Sequence, residues 1–342
     1  VKVLADQGSK LWHTSNLYTV PNQEILAQLL TKNTFADKVF FTNSGAESVE
    51  CAIKIARRFF FSRGQSSRNR IISFDGSFHG RTMGTISAAG SKKLLEGFGP
   101  KLPGFDLVKK LSLDRVEKKI SKRTCAILVE PILGEGGIVT LPCSFLKGLK
   151  KLCKKYKLLL IFDEVQSGIG RSGHFLSHES CKVTPDIVAL AKGLGSGFPI
   201  GACLATEEVA NSMVPGTHGS TYGGNPLGCA VAIETIKHIV RPEFLFTIRR
   251  KGDFFKERLH GLLEMFPEQI LDVRGRGLML GLKCVSKNVH LIDMCRREKL
   301  LLVPGASNTV RILPPLTITY KEIKEAIIRL ERALLEMRKF NE

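Results

Sequence analysis

The sequences LLLIFDEVQSG (158–168) and PDIVALAKGLGSGFPIG (185–201) decide the fold class of this chain. In each of them an apolar run stops abruptly at a charged residue, which is Asp163 in the first and Lys192 in the second. Such runs are typical of strands that are buried on both faces of a parallel sheet. Because ligands of open α/β sheets bind beyond the carboxyl ends of the strands, we expect Asp163 and Lys192 to border a site.

The lysine at a strand end indicates Schiff-base chemistry, because burial can keep such an amine neutral and nucleophilic. The glycines that follow Lys192 let the backbone and a ligand approach each other closely. The acid suits the opposite end of pyridoxal phosphate, where a carboxylate beside the pyridine nitrogen keeps the ring electron-withdrawing. From these positions alone, a solvated lysine and a strand-capping acid are an equally valid interpretation.

Seven blocks of the sequence resemble class III aminotransferases, which use pyridoxal phosphate, and they span essentially the whole chain. The blocks are FFTNSGAESVECAIKIAR (40–57), SFHGRTMGTISAAG (77–90), VEPILGEGG (129–137), DEVQSGIGRSG (163–173), ALAKGLGSGFPIGA (189–202), GSTYGGNPLGCAVA (219–232) and VRILPPL (310–316). Within this class, LWHTSNLY (11–18) and the tyrosine of GSTYGGNPL are most similar to the acetylornithine aminotransferase subfamily.

The resemblance implies an α/β fold of fold-type I, with a mainly parallel seven-stranded sheet flanked by helices in a large domain, and a small α+β domain. We expect residues 1–20 to be the remnant of an N-terminal segment, 21–240 the large cofactor-binding domain and 241–342 the small domain. Apolar periodicity predicts strands at 38–41, 70–74, 107–111, 124–130, 300–303 and 309–313, and helices at 23–32, 144–156 and 320–339.

The resemblance also implies which residues bind pyridoxal phosphate. Lys192 would carry the cofactor and move the substrate proton, and Asp163 would hold the pyridine nitrogen. The other implied cofactor contacts are Ser44, Gly45 and Ala46 at the phosphate, Phe78 with its neighbour His79 and Val165 at the ring, Gln166 at the phenolic oxygen and Thr221 at the phosphate of a neighbouring subunit. Independently, Ser44 and Glu47 match a capping box, and the free N–H groups of such a helix start can bind an anion.

Four residues are expected at the substrate. Arg81 and Arg311 carry guanidinium groups, which bind carboxylates through two hydrogen bonds. By resemblance Arg311 holds the α-carboxylate of 2-oxoglutarate or glutamate, Glu135 pairs with Arg311 when no carboxylate is bound, and Ser220 lies near the substrate. From the residues alone, a surface ion pair at Arg81 and a structural role of His79 stay open.

Two nucleotide-binding patterns are discounted. The sequence GIGRSG (168–173) matches the dinucleotide fingerprint, but its glycines do not follow a strand directly and no helix is predicted after it. The strand before Asp163 resembles a Walker B strand, but the chain contains no Gly-Lys dipeptide and therefore no Walker A sequence.

Composition limits the class of protein. The 342 residues are 43% apolar, which is ample for a large core, and no segment approaches a membrane span. Lys and Arg number 51 against 32 acids, a net charge of +19, but they are spread over amphipathic helices, so we predict anionic substrates and no nucleic acid. Nine cysteines without a C-x-x-C pair argue against a disulfide framework or a metal site and favour the cytoplasm.

The function that the resemblance implies is transamination by a homodimer with shared active sites. The expected donor is N2-acetylornithine, used through its terminal amine, and the expected acceptor is 2-oxoglutarate, in arginine biosynthesis. Ornithine, succinylornithine or succinyldiaminopimelate remain alternative donors within the same chemistry. A truncated, inactive homologue that acts as a binding protein is the alternative outside enzymes.

Overall fold

A seven-stranded sheet and a four-stranded sheet organise residues 1–339, which the computed structural model describes. The strands are β1 (Lys38–Thr42), β2 (Arg70–Phe74), β3 (Phe105–Val108), β4 (Thr124–Val129), β5 (Ile132–Leu133), β6 (Val139–Thr140), β7 (Leu159–Asp163), β8 (Ile187–Leu190), β9 (Gly201–Ala205), β10 (Ile270–Arg276), β11 (Met279–Cys284), β12 (Val303–Gly305) and β13 (Thr309–Ile312). The large sheet has the order β1-β9-β8-β7-β4-β2-β3, and β9 alone runs in the direction opposite to the other six strands.

Helices cover the large sheet and one side of the smaller one. They are α1 (Lys2–Gly8), α2 (Pro21–Lys32), α3 (Gly45–Phe61), α4 (Met83–Ala89), α5 (Lys92–Leu95), α6 (Leu113–Lys119), α7 (Cys143–Tyr156), α8 (Glu207–Ala210), α9 (Pro226–Ile239), α10 (Pro242–Met265), α11 (Asn288–Arg297) and α12 (Tyr320–Lys339). Two short 3₁₀ helices, Ser177–Cys181 and Lys192–Gly195, follow β7 and β8.

The central strands are buried on both faces, as the apolar runs predict. Every residue of β4, β7 and β8 is buried, and alternate side chains point to two separate cores. In β7, Leu160 and Phe162 join the first core, whereas Leu159 and Ile161 join the second. A strand with no solvent face cannot alternate polar and apolar residues, so the continuous run is the expected pattern.

Helix α3 is anchored to the end of β8 by a buried serine. Ser48 Oγ donates to the carbonyl of Leu190 over 2.9 Å, two residues before Lys192. The helix begins with the predicted cap, since the Ser44 hydroxyl accepts from the Glu47 amide at 3.2 Å. The Glu47 carboxylate, however, accepts from the amide of Asn43 instead of that of Ser44. The second hydrogen bond of the capping box, from the backbone to the glutamate, is therefore shifted by one residue from Ser44 to Asn43.

The smaller sheet has the order β10-β11-β13-β12 and is antiparallel throughout. It packs with α10, α11 and α12 around a core of its own. Arg311 on β13 pairs with Gly281 on β11 and with Val303 on β12, so both neighbouring strands define its position.

Two predicted strands are wrong in their bounds. The strand predicted at 107–111 is β3, which ends at Val108 because Lys109 and Lys110 follow and Leu111 is exposed. The strand predicted at 300–303 begins only at Val303, because the Leu300 amide donates to the carbonyl of Cys295 and closes the end of α11.

One disulfide joins Cys143, at the start of α7, to Cys181, at the end of a 3₁₀ helix. The sequence interpretation, which argued against a disulfide framework, did not anticipate this bridge. The two cysteines are 38 residues apart and are brought together by the packing of α7 against β7 and against the 3₁₀ helix Ser177–Cys181. The other seven cysteines are buried and free.

Neither a membrane-spanning helix nor a metal cluster occurs within the described residues. No helix in 1–339 is both long and apolar enough to cross a bilayer. In the same range, no group of three or more His, Cys, Asp or Glu side chains is arranged to hold a metal ion.

The disulfide generates a stability prediction. The loop that it closes contains all of β7 and the acid at its end, so Cys143→Ser should lower the free energy of unfolding by about 2–4 kcal/mol without reductant. Reductant should lower the wild type to the level of the variant in urea unfolding. As a control, Cys153→Ser on the same helix should keep the response to reductant. A wild-type midpoint that ignores reductant would contradict the bridge.

Candidate active site

The ends of β7 and β8 border a cavity of about 370 Å³. Asp163 is the last residue of β7 and pairs in parallel register with Ala189 of β8, three residues before Lys192. The predicted acid and lysine therefore lie in one site. The lining residues are Asn43, Ser44, Gly45, Ala46, Phe78, His79, Gly80, Glu130, Asp163, Val165, Gln166, Ala191, Lys192 and residues 197–200.

Lys192 has a left-handed backbone, with a φ of 41°. This conformation costs an L-residue about 1–2 kcal/mol, and it occurs preferentially at functional sites. Ser196 follows with a φ of 46°, so the turn after β8 contains two such residues. The unusual turn directs the chain away from the sheet immediately after the strand and leaves Lys192 exposed to the cavity.

The Asp163 carboxylate is buried and held by two donors. Its Oδ2 atom lies 2.8 Å from Nδ1 of His79, and its Oδ1 atom accepts from the Val165 amide at 3.0 Å. His79 is itself fully enclosed, and its second ring nitrogen, Nε2, is buried without a hydrogen-bond partner within 1–339. His79 lies in the segment that follows β2. It therefore fixes the orientation of the Asp163 carboxylate from that side.

A second buried acid, Glu130, lies beside this pair at the end of β4. Its carboxylate accepts from the amides of Phe78 at 2.7 Å and of Gly134 at 3.1 Å. Burial, reinforced by the negative charge of Asp163, raises the pKa of Glu130 to about 7. Burial alone would lower the pKa of His79, but the hydrogen bond with Asp163 and the charges of Asp163 and Glu130 raise it above the usual value.

The start of α3 presents unoccupied backbone donors to the cavity. The amides of Glu47 and Ser48 bond to Ser44, whereas those of Gly45 and Ala46 have no partner in the described part of the chain. Free amides and the helix dipole favour an anion at this point. Gly45 is required here, because a Cβ on it would lie 2.6 Å from a methyl group of Val165.

The side chains predicted for the two ring faces, Phe78 and Val165, both line the cavity. Gln166 lines it as well, and its Oε1 atom is buried without a hydrogen-bond partner among residues 1–339. An amide in this state can rotate to place its N–H₂ group toward a ligand oxygen.

Lys192 and Gln166 also line a second chamber, of about 270 Å³, on the side of the smaller sheet. Arg311 and Glu135 face each other there, with 2.5 Å between Nη1 and Oε1. The Arg311 side chain is mostly buried, and its Nε donates to the carbonyl of Pro304 at 3.0 Å. The pair predicted from the sequence is therefore present, within reach of a ligand that contacts Lys192 from this side.

Three predicted residues line neither of the two chambers. Arg81 is exposed, with its guanidinium carbon 5.6 Å from the centre of the Phe78 ring. Ser220 connects to the site indirectly, since its hydroxyl accepts from the side chain of Asn43 at 3.1 Å. Thr221 is exposed and lines neither chamber. A role for it in the same chain's site has no contact to support it.

Comparison with known proteins assigns a family to this arrangement. Residues 1–334 match the family described as aminotransferase class-III. The acetylornithine aminotransferase of Mesorhizobium japonicum is 52% identical over 330 residues, which are 96% of this chain and 83% of that protein. This chain belongs to the class III aminotransferases.

Two solved structures share the fold of this aminotransferase. N-acetylornithine aminotransferase from Stenotrophomonas maltophilia has a TM-score of 0.86 at 33% identity and covers 99% of this chain and 86% of its own. Ornithine aminotransferase from Toxoplasma gondii has a TM-score of 0.95 at 30% identity and covers 99% of this chain and 82% of its own. The predicted family and fold class are confirmed.

Sequence reasoning missed two polar side chains of the aminotransferase site. Glu130 was recognised only as the end of a strand, although an acid that directly follows a buried run carries the same signal as Asp163. Asn43, which binds Ser220 and lines the cavity, has no signal beyond its place before the helix cap.

The raised pKa of Glu130 generates a prediction for the ligand-free protein. The folded chain holds this proton up to about pH 7, whereas an ordinary glutamate releases it near 4.5. Stability from this proton is thus complete below pH 4.5 and is lost as the pH rises through 7. The raised pKa of His79 acts in the same direction. In Glu130→Gln, the fall in unfolding free energy between pH 5 and 8 should be shallower, as measured by urea unfolding.

A surface acid whose pKa is shifted in the opposite direction, Glu117, serves as the control. Hydrogen bonds with Lys155 and Tyr156 lower the pKa of Glu117, so its contribution is lost as the pH falls. Glu117→Gln should therefore keep the wild-type fall between pH 5 and 8. An unchanged slope in Glu130→Gln would show that Glu130 titrates as an ordinary glutamate.

Proposed function

We propose that this aminotransferase transfers the terminal amino group of N2-acetylornithine to 2-oxoglutarate, with pyridoxal phosphate as its cofactor. The products would be N-acetylglutamate 5-semialdehyde and glutamate, as a step of arginine biosynthesis. One observation carries the proposal: Lys192, the Asp163–His79 pair and the open amides of α3 converge on one cavity. The name of the relative from Mesorhizobium japonicum supports the choice of donor.

The residues of the cavity fit a phosphorylated aromatic ring. The amides of Gly45 and Ala46, without partners within 1–339, can take the phosphate, and Phe78 and Val165 offer surfaces for the ring. The orphaned Gln166 amide can donate to the phenolic oxygen. Ser44 would contribute to the cofactor site by capping α3, because its hydroxyl accepts a hydrogen bond from the Glu47 amide.

Bound pyridoxal phosphate supplies a carbonyl carbon for the Lys192 amine and an electron-withdrawing ring for the charge that develops on a substrate carbon. Asp163, held by His79 and the Val165 amide, would hold the ring nitrogen of the cofactor. Lys192, at the border of both chambers, acts as general base and then general acid at its Nζ atom.

Carboxylate binding is proposed for the second chamber and its rim. Arg311 would take the α-carboxylate of 2-oxoglutarate or glutamate once Glu135 turns away from it, and Glu135 would neutralise Arg311 for other substrates. Arg81, exposed beside Phe78, would take the carboxylate of the amino donor. Ser220 would border the donor through its link to Asn43.

The exposed position of Thr221 supports a homodimer with shared active sites. Its hydroxyl lines neither chamber of its own chain and faces outward, so in a dimer it would be available to the site of the other subunit. We also propose the division into residues 1–20, a large domain at 21–240 and a small domain at 241–342, and a cytoplasmic location. The seven free cysteines support that location, although the single disulfide runs against it.

The first test is an absorbance spectrum of the protein with pyridoxal phosphate, before and after addition of N2-acetylornithine. The band of the lysine-linked cofactor should form in the wild type and collapse on addition of the donor. Lys192→Ala should not form the band, and its rate should fall by at least about 10²–10⁴-fold from the loss of proton transfer alone. A lysine-linked band in this variant would contradict the role of Lys192.

A panel of donors distinguishes the alternatives. Ornithine is the specific competitor, because the Toxoplasma gondii structure, which has a TM-score of 0.95, is an ornithine aminotransferase. If the band collapses with ornithine or succinylornithine but not with N2-acetylornithine, the transaminase stands and the donor is wrong. A wild type that forms no band would leave the binding-protein alternative.

Shared active sites predict complementation between two inactive variants. Lys192→Ala removes the amine and Thr221→Val removes the hydroxyl, and a hybrid dimer would keep both groups in one of its two sites. If both variants are inactive alone, random mixing should restore about a quarter of the wild-type activity, because half of the dimers are hybrids with one intact site each. If Thr221 serves its own chain, mixing will restore nothing.

A further inference from the structure

The segment GIGRSG (168–173) begins five residues after Asp163, in the loop that follows β7, which we call the cofactor-side loop. We call this segment the joint, because α10 and the smaller sheet pack against the loop here. From α10, Arg249 Nη1 donates to the carbonyl of Gly173 over 2.6 Å. From the turn between β10 and β11, Gly277 packs on the backbone of Ser172, where a Cβ would lie only 2.5 Å from the carbonyl carbon. The glycines thus serve close packing between two parts of the chain.

Arg171 makes three backbone hydrogen bonds across this joint. Its carbonyl accepts from the Leu278 amide at 3.1 Å, and its Nη1 donates to the Leu278 carbonyl at 3.0 Å. The same Nη1 atom donates to the carbonyl of Pro314 at 2.6 Å. One side chain therefore holds two separate segments of the smaller sheet against the loop.

These two segments flank Arg311. Leu278 immediately precedes β11, whose Gly281 is the register partner of Arg311. Pro314 follows β13 two residues after its end, and Arg311 lies one residue before that end. Both attachments therefore act on the strands that determine where the Arg311 guanidinium lies relative to the cofactor-side loop.

The guanidinium of Arg171 is held by neutral carbonyl groups alone. Burial lowers its pKa to about 10, and no neighbouring charge in the described part of the chain offsets that effect. It nevertheless remains a cation at neutral pH. Arg171 lines the same chamber as Arg311 and Lys192, so its charge adds to the field that a carboxylate meets there.

We propose that Arg171 is a positioning residue, which fixes the strands that carry Arg311 at the distance from Lys192 needed for a dicarboxylate acceptor. The inference rests on the proposed function in so far as Arg311 binds the acceptor's carboxylate. It extends that function by assigning acceptor specificity to an interdomain contact instead of a group in the cofactor site.

The test compares three variants with the wild type, all loaded with pyridoxal phosphate. Arg171→Met removes the guanidinium but keeps an unbranched stem, and Arg171→Lys keeps the charge with a single donor nitrogen. Arg249→Met is the matched control. It removes the partly buried hydrogen bond to Gly173 at the same joint, but Arg249 does not bond to the segments that flank Arg311. The readouts are the dissociation constant of glutarate by calorimetry, KM and kcat for 2-oxoglutarate, and Tm.

In Arg171→Met, glutarate binding should weaken and KM for 2-oxoglutarate should rise by about 10–100-fold, because a small misplacement of Arg311 misaligns the acceptor. Arg171→Lys should lie between this variant and the wild type. Arg249→Met should lower Tm as Arg171→Met does, but should bind glutarate like the wild type. The lysine-linked cofactor band should be unchanged in all three.

Three results would overturn the inference. Glutarate binding in Arg171→Met could equal that of the wild type, or Arg249→Met could weaken it equally, which would mean general loosening of the joint. If Arg171→Met does not fold, wild-type glutarate binding by Arg171→Lys would decide against positioning. A wild type that transfers no amino group, yet binds glutarate in an Arg171-dependent manner, would refute the proposed function and leave this inference standing.

Discussion

Two carboxylates, Glu130 and Asp163, lie side by side at the ends of buried strands, and most of the site follows from the need to satisfy them. A buried charge without partners is strongly unfavourable, so each acid draws donors toward the strand ends. Glu130 takes the amides of Phe78 and Gly134. Asp163 takes His79 and the amide of Val165. The groups on both sides of the cavity are therefore placed by the acids between them.

The site is divided between two parts of the chain with different tasks. The large sheet supplies the cofactor side, because four strand ends and the start of α3 meet at one edge. The smaller sheet, which packs on a separate hydrophobic core, supplies Arg311. A reaction that uses both sides depends on how firmly the two cores are held together. The hydrogen bonds of Arg171 and Arg249 across the joint hold the two cores together.

The sequence is informative wherever a signal is local. The end of an apolar run located Asp163 and Lys192, and Ser44 announced the start of α3. Contacts between residues far apart in the sequence could not be predicted, because no local pattern shows which distant segments meet. The bridge between Cys143 and Cys181 is of this kind, as are the bonds from Arg171 to Leu278 and Pro314. The glycines of residues 168–173 gave a visible signal, but glycine patterns report close approach without naming the partner.

The charge of the site differs from that of the whole chain in a way that bears on substrate choice. The chain carries a net charge of +19, yet Arg311 faces Glu135 in the second chamber and is neutralised there. Arg171 has no such partner within the described residues, so the chamber keeps a positive charge even with the pair closed. If Glu135 turns away from Arg311, as we propose for the acceptor, a second guanidinium becomes available in the chamber. The ion pair would then separate a substrate with two carboxylates from a substrate with one by charge, without any change in the shape of the chamber.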